Sequence, residues 1–77
     1  MESVMLAEVS DGQNKIVFYE EEEGCLTAVL TRNLGAKHPS VHYFGIVETP
    51  EELDEELKGY DMPRDFRNQA RAKFRNL

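Results

Sequence analysis

The stretch Ser40-Val-His-Tyr-Phe-Gly-Ile-Val-Glu-Thr-Pro-Glu-Glu-Leu-Asp-Glu-Glu-Leu57 decides the fold, because its hydrophobic spacing changes from a period of two to a helical period. We predict a strand over residues 40–47 and a helix over residues 50–58. Thr49 supplies the N-cap oxygen, Pro50 presets φ at the first helical position, and Glu52 completes a capping box. The sheet therefore ends, and the helices begin, at Thr49.

Three further strands precede this junction. Alternating apolar residues, many of them β-branched or aromatic, predict strands over residues 3–9, 15–20 and 25–32. Asp11 and Gly12 mark the first hairpin turn, and the acidic run at residues 20–24 marks the second. Because each connection is short, the expected topology is a meander of four antiparallel strands.

A second helix follows over residues 63–76. Gly59 is expected at the position after the first helix, and Asp61 is expected to cap the second. An apolar stripe suited to packing on a sheet runs along this helix through Met62, Phe66, Ala70, Phe74 and Leu77. The sequence thus predicts one α+β domain over residues 1–77, with a four-stranded antiparallel sheet and two C-terminal helices packed on one face.

Length and composition limit the class of protein. A chain of 77 residues buries only ~60% of its unfolded surface, so its core is small and a deep catalytic cleft is not expected. Cys25 is the single cysteine, which excludes an intrachain disulfide and indicates a reducing compartment. The sequence lacks an apolar run of about 18 residues and the features of a signal peptide, so we expect a cytoplasmic protein without membrane insertion.

The charges are segregated along the chain. Fifteen acidic and nine basic residues give a net charge of −6. Residues 1–61 hold fourteen acids and four bases, whereas residues 62–77 hold one acid and five bases. Because residues 1–61 are strongly acidic, they should repel the nucleic-acid backbone, and direct nucleic-acid binding is disfavoured. A basic protein surface is the better partner.

Two helices can cover only one face of the sheet, and the uncovered face is called the open face below. We expect the helices to cover Ile16, Phe18, Leu26, Ala28, Leu30, Phe44 and Ile46. The open face is then lined by Val17, Tyr19, Thr27, Val29, Val41 and Tyr43. An exposed apolar face of this kind indicates a partner surface or a homodimer, although the assignment depends on strand register.

The candidate partner-binding residues combine this face with the acidic hairpin. They are Tyr19, Glu21, Glu22, Glu23, Thr27, Val29 and Tyr43. A secondary acidic surface is expected on the first helix at Glu51, Glu52 and Glu55, either as a solvated helix face or as part of a negative surface that imitates phosphates. We expect the bases of the second helix, among them Arg64, Arg67 and Arg71, to pair with charges inside the fold or in a dimer.

Catalytic and metal-binding patterns are weak. The acidic hairpin lacks the ligand spacing of a calcium loop, and isolated glycines such as Gly24 and Gly35 do not form a phosphate-binding loop. The alternative that remains open is a small metal-binding or thiol protein that uses Cys25 and His42. We expect no enzymatic activity and no cofactor.

Two short patterns resemble known families. Ile16-Val-Phe-Tyr-Glu20, Thr49-Pro-Glu-Glu-Leu53, the corner at residues 59–63 and a closing helix with Arg67, Ala70 and Arg75 resemble the layout of small type I-F anti-CRISPR proteins of phages. Those proteins have a four-stranded antiparallel sheet with two helices and bind the Cas surveillance complex through the sheet. The resemblance implies a site on the sheet around Tyr19.

The second resemblance is to the HicB-like antitoxin domain. It consists of a strand, an acidic turn ending in Gly24, a further strand and the Thr49-Pro-Glu-Glu-Leu53 helix, with Asn33-Leu-Gly35 where that family has a Pro-Gly-Cys segment. The sequence therefore leads us to expect a non-enzymatic protein-binding module. The first hypothesis is a phage-type inhibitor of a nucleic-acid-binding host complex such as CRISPR-Cas, and the alternative is an antitoxin or other regulatory partner.

Overall fold

The computed structural model describes residues 3–77. Four strands, β1 (Val4–Ser10), β2 (Lys15–Glu22), β3 (Cys25–Arg32) and β4 (Ser40–Ile46), form one antiparallel sheet in the order β1-β2-β3-β4. Two helices follow, α1 (Pro50–Gly59) and α2 (Arg64–Arg75). The predicted α+β fold is confirmed, β3 has its predicted bounds, and the other elements begin or end within two residues of prediction.

The core lies between the sheet and the two helices. Ile16 and Phe18 of β2 and Leu30 of β3 are fully buried against Leu53 of α1 and Phe66 of α2. Phe18 and Phe74 contact each other with ring centroids 5.8 Å apart. The other buried apolar residues of this cluster are Val9, Ala28, Val47, Leu57, Met62 and Ala70. The helices therefore cover one face of the sheet, as predicted, and leave the other open.

A β-bulge in β4 changes which face its last residues occupy. Val29 pairs with Tyr43 and Ala28 pairs with Gly45, so Phe44 is the additional residue of the bulge, and Gly45 has φ +76°. The next pair is Thr27 with Ile46, which places Ile46 on the open face. The prediction that Ile46 faces the helices was therefore wrong, because an extra residue inverts the alternation beyond it.

A second bulge, between Met5 and Ala7 of β1, has the same effect. Met5 pairs with Tyr19, whereas Ala7 pairs with the core residue Phe18. Strict alternation would place Met5 and Ala7 on one face, but the structure separates them. Met5 thus joins the open face.

The junction between sheet and helices follows the predicted N-cap. Thr49 Oγ1 accepts a hydrogen bond from the Glu52 N–H at 3.1 Å, and Pro50 begins α1. Among the hydrogen bonds of residues 3–77, the return bond that would complete a capping box is not formed. The cap therefore satisfies one helix N–H through Thr49 alone.

The corner between the helices differs from prediction at Gly59 and Asp61. Gly59 is the last residue of α1, and Asp61 takes the left-handed conformation with φ +58°. The N–H groups of Asp61 and Met62 donate to the carbonyls of Lys58 and Leu57, which is the Schellman pattern. Because Asp61 ends α1, it does not cap α2, whose first turn has no side-chain cap.

A partly buried charge cluster joins the two helices. Arg67 Nη1 contacts both carboxylate oxygens of Asp54, at 3.2 and 3.3 Å, and Arg67 Nε donates to the Met62 carbonyl. Arg71 and Lys58 lie 3.8 and 3.6 Å from the same carboxylate. Part of the basic charge of α2 is thus paired inside the fold, as expected, and Asp54 is buried rather than solvated.

Candidate partner-binding surface

The open face consists of three cross-strand rows. The first row, from β1 to β4, is Met5, Tyr19, Thr27 and Ile46. The second is Glu8, Val17, Val29 and Tyr43, and the third is Ser10, Lys15, Thr31 and Val41. These rows place the predicted residues Tyr19, Thr27, Val29 and Tyr43 together on one surface.

Exposure increases across this surface toward its edges. Val17 and Thr27 are buried in the middle of the sheet, although no helix covers them. Val41, Tyr43 and Ile46, all on the edge strand β4, remain 64%, 60% and 60% exposed. Neighbouring side chains thus shield the centre, and the apolar area available to a partner lies mainly along β4. A partner would contact the edge residues before the central ones.

Acidic residues border one end of the open face. β2 continues to Glu22, and an irregularity in its pairing with β3 places Glu21 outside the regular alternation. Glu23 and Gly24 form the turn, where Gly24 has φ +81° and its N–H donates to the Glu20 carboxylate. Glu22 and Glu23 are exposed and Glu21 is partly buried. The predicted acidic residues therefore lie beside the first row of the open face.

A hydrogen bond joins the apolar and acidic parts of this surface. The Tyr43 hydroxyl donates to Glu21 Oε2 at 3.2 Å, across 22 residues of sequence. Desolvation of the phenol, followed by the Glu21 carboxylate, raises the pKa of Tyr43 above its ordinary value of 10.0, while Thr27 acts in the opposite direction. The Tyr43 hydroxyl is therefore kept protonated, and its hydrogen bond orients the Glu21 carboxylate.

A cleft of about 380 Å³ opens at the same end of the sheet. It is lined by Ser3, Glu21, Glu22, Cys25 and Ile46. The lining combines the apolar side chain of Ile46 with two carboxylates, which suits the methylene stem and charged end of a basic side chain. The Cys25 thiol lies in this cleft and is partly buried.

The secondary acidic surface belongs to a different part of the molecule. Glu51, Glu52 and Glu55 are exposed on α1, in the layer of helices that covers the opposite face of the sheet. Glu55 lies 3.8 Å from Lys58, which partly neutralises it. The acids of α1 are therefore not part of the open face.

The structure does not bring Cys25 and His42 together. Cys25 pairs with Glu22 at the acidic end, whereas His42 pairs with Leu30 and stacks on Tyr60 with ring centroids 4.2 Å apart. Tyr60 packs on the core, so His42 lies on the helix-covered face and Cys25 does not. Within residues 3–77, no group of three metal-ligating side chains converges. This geometry removes the basis for a joint site of Cys25 and His42.

Sequence reasoning missed Met5 and Ile46 as members of the open face. Ile46 follows the bulge of β4 and Met5 precedes the bulge of β1, and the local sequence signal in β4 was Gly45, a glycine inside an apolar strand. Comparisons with protein families, with curated proteins and with solved structures found no match to this chain. None of the helices in residues 3–77 has the length and apolar character needed to cross a bilayer.

Proposed function

We propose that the protein is a non-enzymatic module that binds a basic surface of a nucleic-acid-binding protein complex through the open face. The observation that supports this proposal most directly is the combination of exposed Val41, Tyr43 and Ile46 with the adjacent acids Glu21 and Glu22. Apolar area supplies affinity, and complementary charge supplies association rate and specificity. Inhibition of a type I-F CRISPR surveillance complex is the specific activity implied by the resemblance to phage inhibitors.

The charge distribution favours a protein partner over nucleic acid itself. The body of the protein is acidic, and a basic side chain must overcome that field to reach a phosphate. Arg67 and Arg71 of α2 are already paired with Asp54, which leaves less free positive charge on the helix than its sequence contains. The acidic end of the open face is complementary to the basic surfaces with which proteins bind nucleic acids.

Capture from a bacterial lysate with matched variants tests the proposal. The wild-type protein, Tyr43→Ala with Ile46→Ala, and the helix-layer control Asp65→Asn are immobilised in parallel, and bound proteins are identified by mass spectrometry. We expect a nucleic-acid-binding complex to be retained by the wild type and the control. The loss for the open-face variant should be at least about tenfold, because exposed aromatic anchors commonly carry interface energy.

Purified type I-F surveillance complex then tests the specific partner. Binding is measured by interferometry at low and high salt, and we expect weaker binding at high salt because the acidic end contributes charge. Specific capture of a small ribonuclease instead would replace the inhibitor proposal with the antitoxin alternative. Equal capture by the wild type and the open-face variant would contradict the use of this surface.

A further inference from the structure

Three groups meet where the open face joins its acidic end. The Tyr43 hydroxyl donates to one oxygen of Glu21, and the Tyr43 ring is largely exposed. Within residues 3–77, Glu21 takes part in no ion pair and accepts no other side-chain hydrogen bond. One carboxylate oxygen and an aromatic ring are thus available side by side.

Beneath them lies a buried hydroxyl without a hydrogen bond. Thr27 is 1% exposed, and its Oγ1 has no hydrogen-bond partner of good geometry among residues 3–77. It lies on the open face in β3, the strand that pairs with the strand of Tyr43. An unsatisfied buried hydroxyl is costly, so a bound state that gave Thr27 a hydrogen-bond partner would gain free energy.

We propose that Glu21, Tyr43 and Thr27 form a receptor for an arginine side chain presented by the protein partner, an inference that rests on the proposed function. The guanidinium donates to Glu21 and lies on the Tyr43 ring. The Tyr43 hydroxyl then leaves Glu21 and donates to Thr27 Oγ1. This exchange satisfies all three groups in the bound state, whereas the free protein leaves Thr27 unpaired.

The geometry selects arginine rather than lysine. A guanidinium is planar, donates two parallel hydrogen bonds to a carboxylate and stacks on an aromatic ring. An ammonium is compact, more strongly hydrated and lacks the flat surface for stacking. Glu22 and Glu23, at the same end of the sheet, add negative potential that attracts either cation and therefore do not discriminate between them.

Nuclear magnetic resonance titration with N-acetyl-arginine amide and N-acetyl-lysine amide tests the receptor without requiring the partner. We expect the arginine probe to shift the backbone amide signals of Tyr43, Thr27 and Ile46, and to bind more tightly than the lysine probe. Glu21→Gln should weaken arginine binding about tenfold through loss of the charge. Asp65→Asn, which changes an exposed acid on α2, should leave it unchanged.

Thr27→Val separates the receptor from general attraction to an acidic protein. Valine has a similar shape and removes the unpaired hydroxyl, so the variant should be at least as stable as the wild type yet bind the arginine probe more weakly. Equal binding of both probes, or unchanged arginine binding in Glu21→Gln or Thr27→Val, would overturn the receptor. If the open-face variant loses partner capture but the wild type shows no response to the arginine probe, the receptor alone is wrong. If the arginine probe binds but capture does not depend on the open face, only the proposed function is wrong.

Discussion

Removal of the Asp54 carboxylate charge should measure how strongly the two helices are held together. In Asp54→Asn, the amide oxygen keeps one acceptor for Arg67 but loses the charge that Arg67, Arg71 and Lys58 share. The side chains of Asp54 and Arg67 are only 10% and 18% exposed, so solvent replaces little of the lost interaction. Hydrogen bonds to charged groups contribute about 1.5–3 kcal/mol, whereas the more exposed pairs with Arg71 and Lys58 add little.

We therefore expect Asp54→Asn to lower the free energy of unfolding by about 2–3 kcal/mol. A domain of 77 residues has a total stability of roughly 4–12 kcal/mol, so this loss is a large fraction of it. The melting temperature should fall by about 10–20 °C. Urea denaturation followed by circular dichroism gives the free energy directly, provided that the slope against urea is unchanged.

The matched control is Glu55→Gln on the same helix. Glu55 is 77% exposed and lies 3.8 Å from Lys58, so its loss should cost less than about 0.5 kcal/mol. A double-mutant cycle between Asp54→Asn and Arg67→Met should give a coupling free energy of about 1–2 kcal/mol. A loss for Asp54→Asn no greater than that for Glu55→Gln, or a coupling of zero, would refute the assigned role of this cluster.

Two further predictions concern the backbone and the open face. Gly59→Ala should raise the free energy of unfolding by about 0.5–1 kcal/mol, because Gly59 is helical and an added Cβ meets no atom. Gly45→Ala should lower it by about 1–2 kcal/mol, because φ of Gly45 is +76°. Urea denaturation that showed a loss for Gly59→Ala or a gain for Gly45→Ala would contradict the conformation assigned to that glycine. In spectrophotometric pH titration, Glu21→Gln should bring the pKa of Tyr43 toward 10.0, with Tyr43→Phe as the reference. Because the folded pKa is raised, this phenol stabilises the fold below pH ~10 and the contribution disappears as pH rises through the folded pKa; an unchanged titration in Glu21→Gln would contradict the assigned contact.

Local patterns in the sequence were sufficient for the order and type of every element. The cap at Thr49, the glycine at the first hairpin and the apolar stripe of α2 act over a few residues, so their effect can be read from neighbouring positions. Buried Phe66, Ala70 and Phe74 occupy the predicted stripe of α2. The face of the sheet that the helices cover followed from the same alternation.

Features that depend on pairing between strands could not be read in this way. The bulges in β1 and β4 are fixed by how each strand fits its neighbour, and they moved Met5 and Ile46 to the open face.

Contacts of the helices were equally hidden in the sequence. The residue in the left-handed conformation after α1 is Asp61 rather than Gly59, because the helix continues through Gly59 and the Met62 N–H then donates to the Leu57 carbonyl. Asp54 resembled its solvated acidic neighbours in sequence, and only the position of Arg67 distinguishes it.

The bulge at Phe44 also determines the side of the sheet from which the chain leaves. After it, Val47 enters the core and its N–H donates to the Leu26 carbonyl, so the chain reaches Pro50 on the side where α1 packs. Regular pairing of the same sequence without the bulge would turn Ile46 toward the helices and Val47 toward the open face, whereas deletion of Phe44 would leave both on their present faces. The extra residue therefore links the identity of the exposed surface to the placement of the helices, because the same skipped position exposes Ile46 and buries Val47.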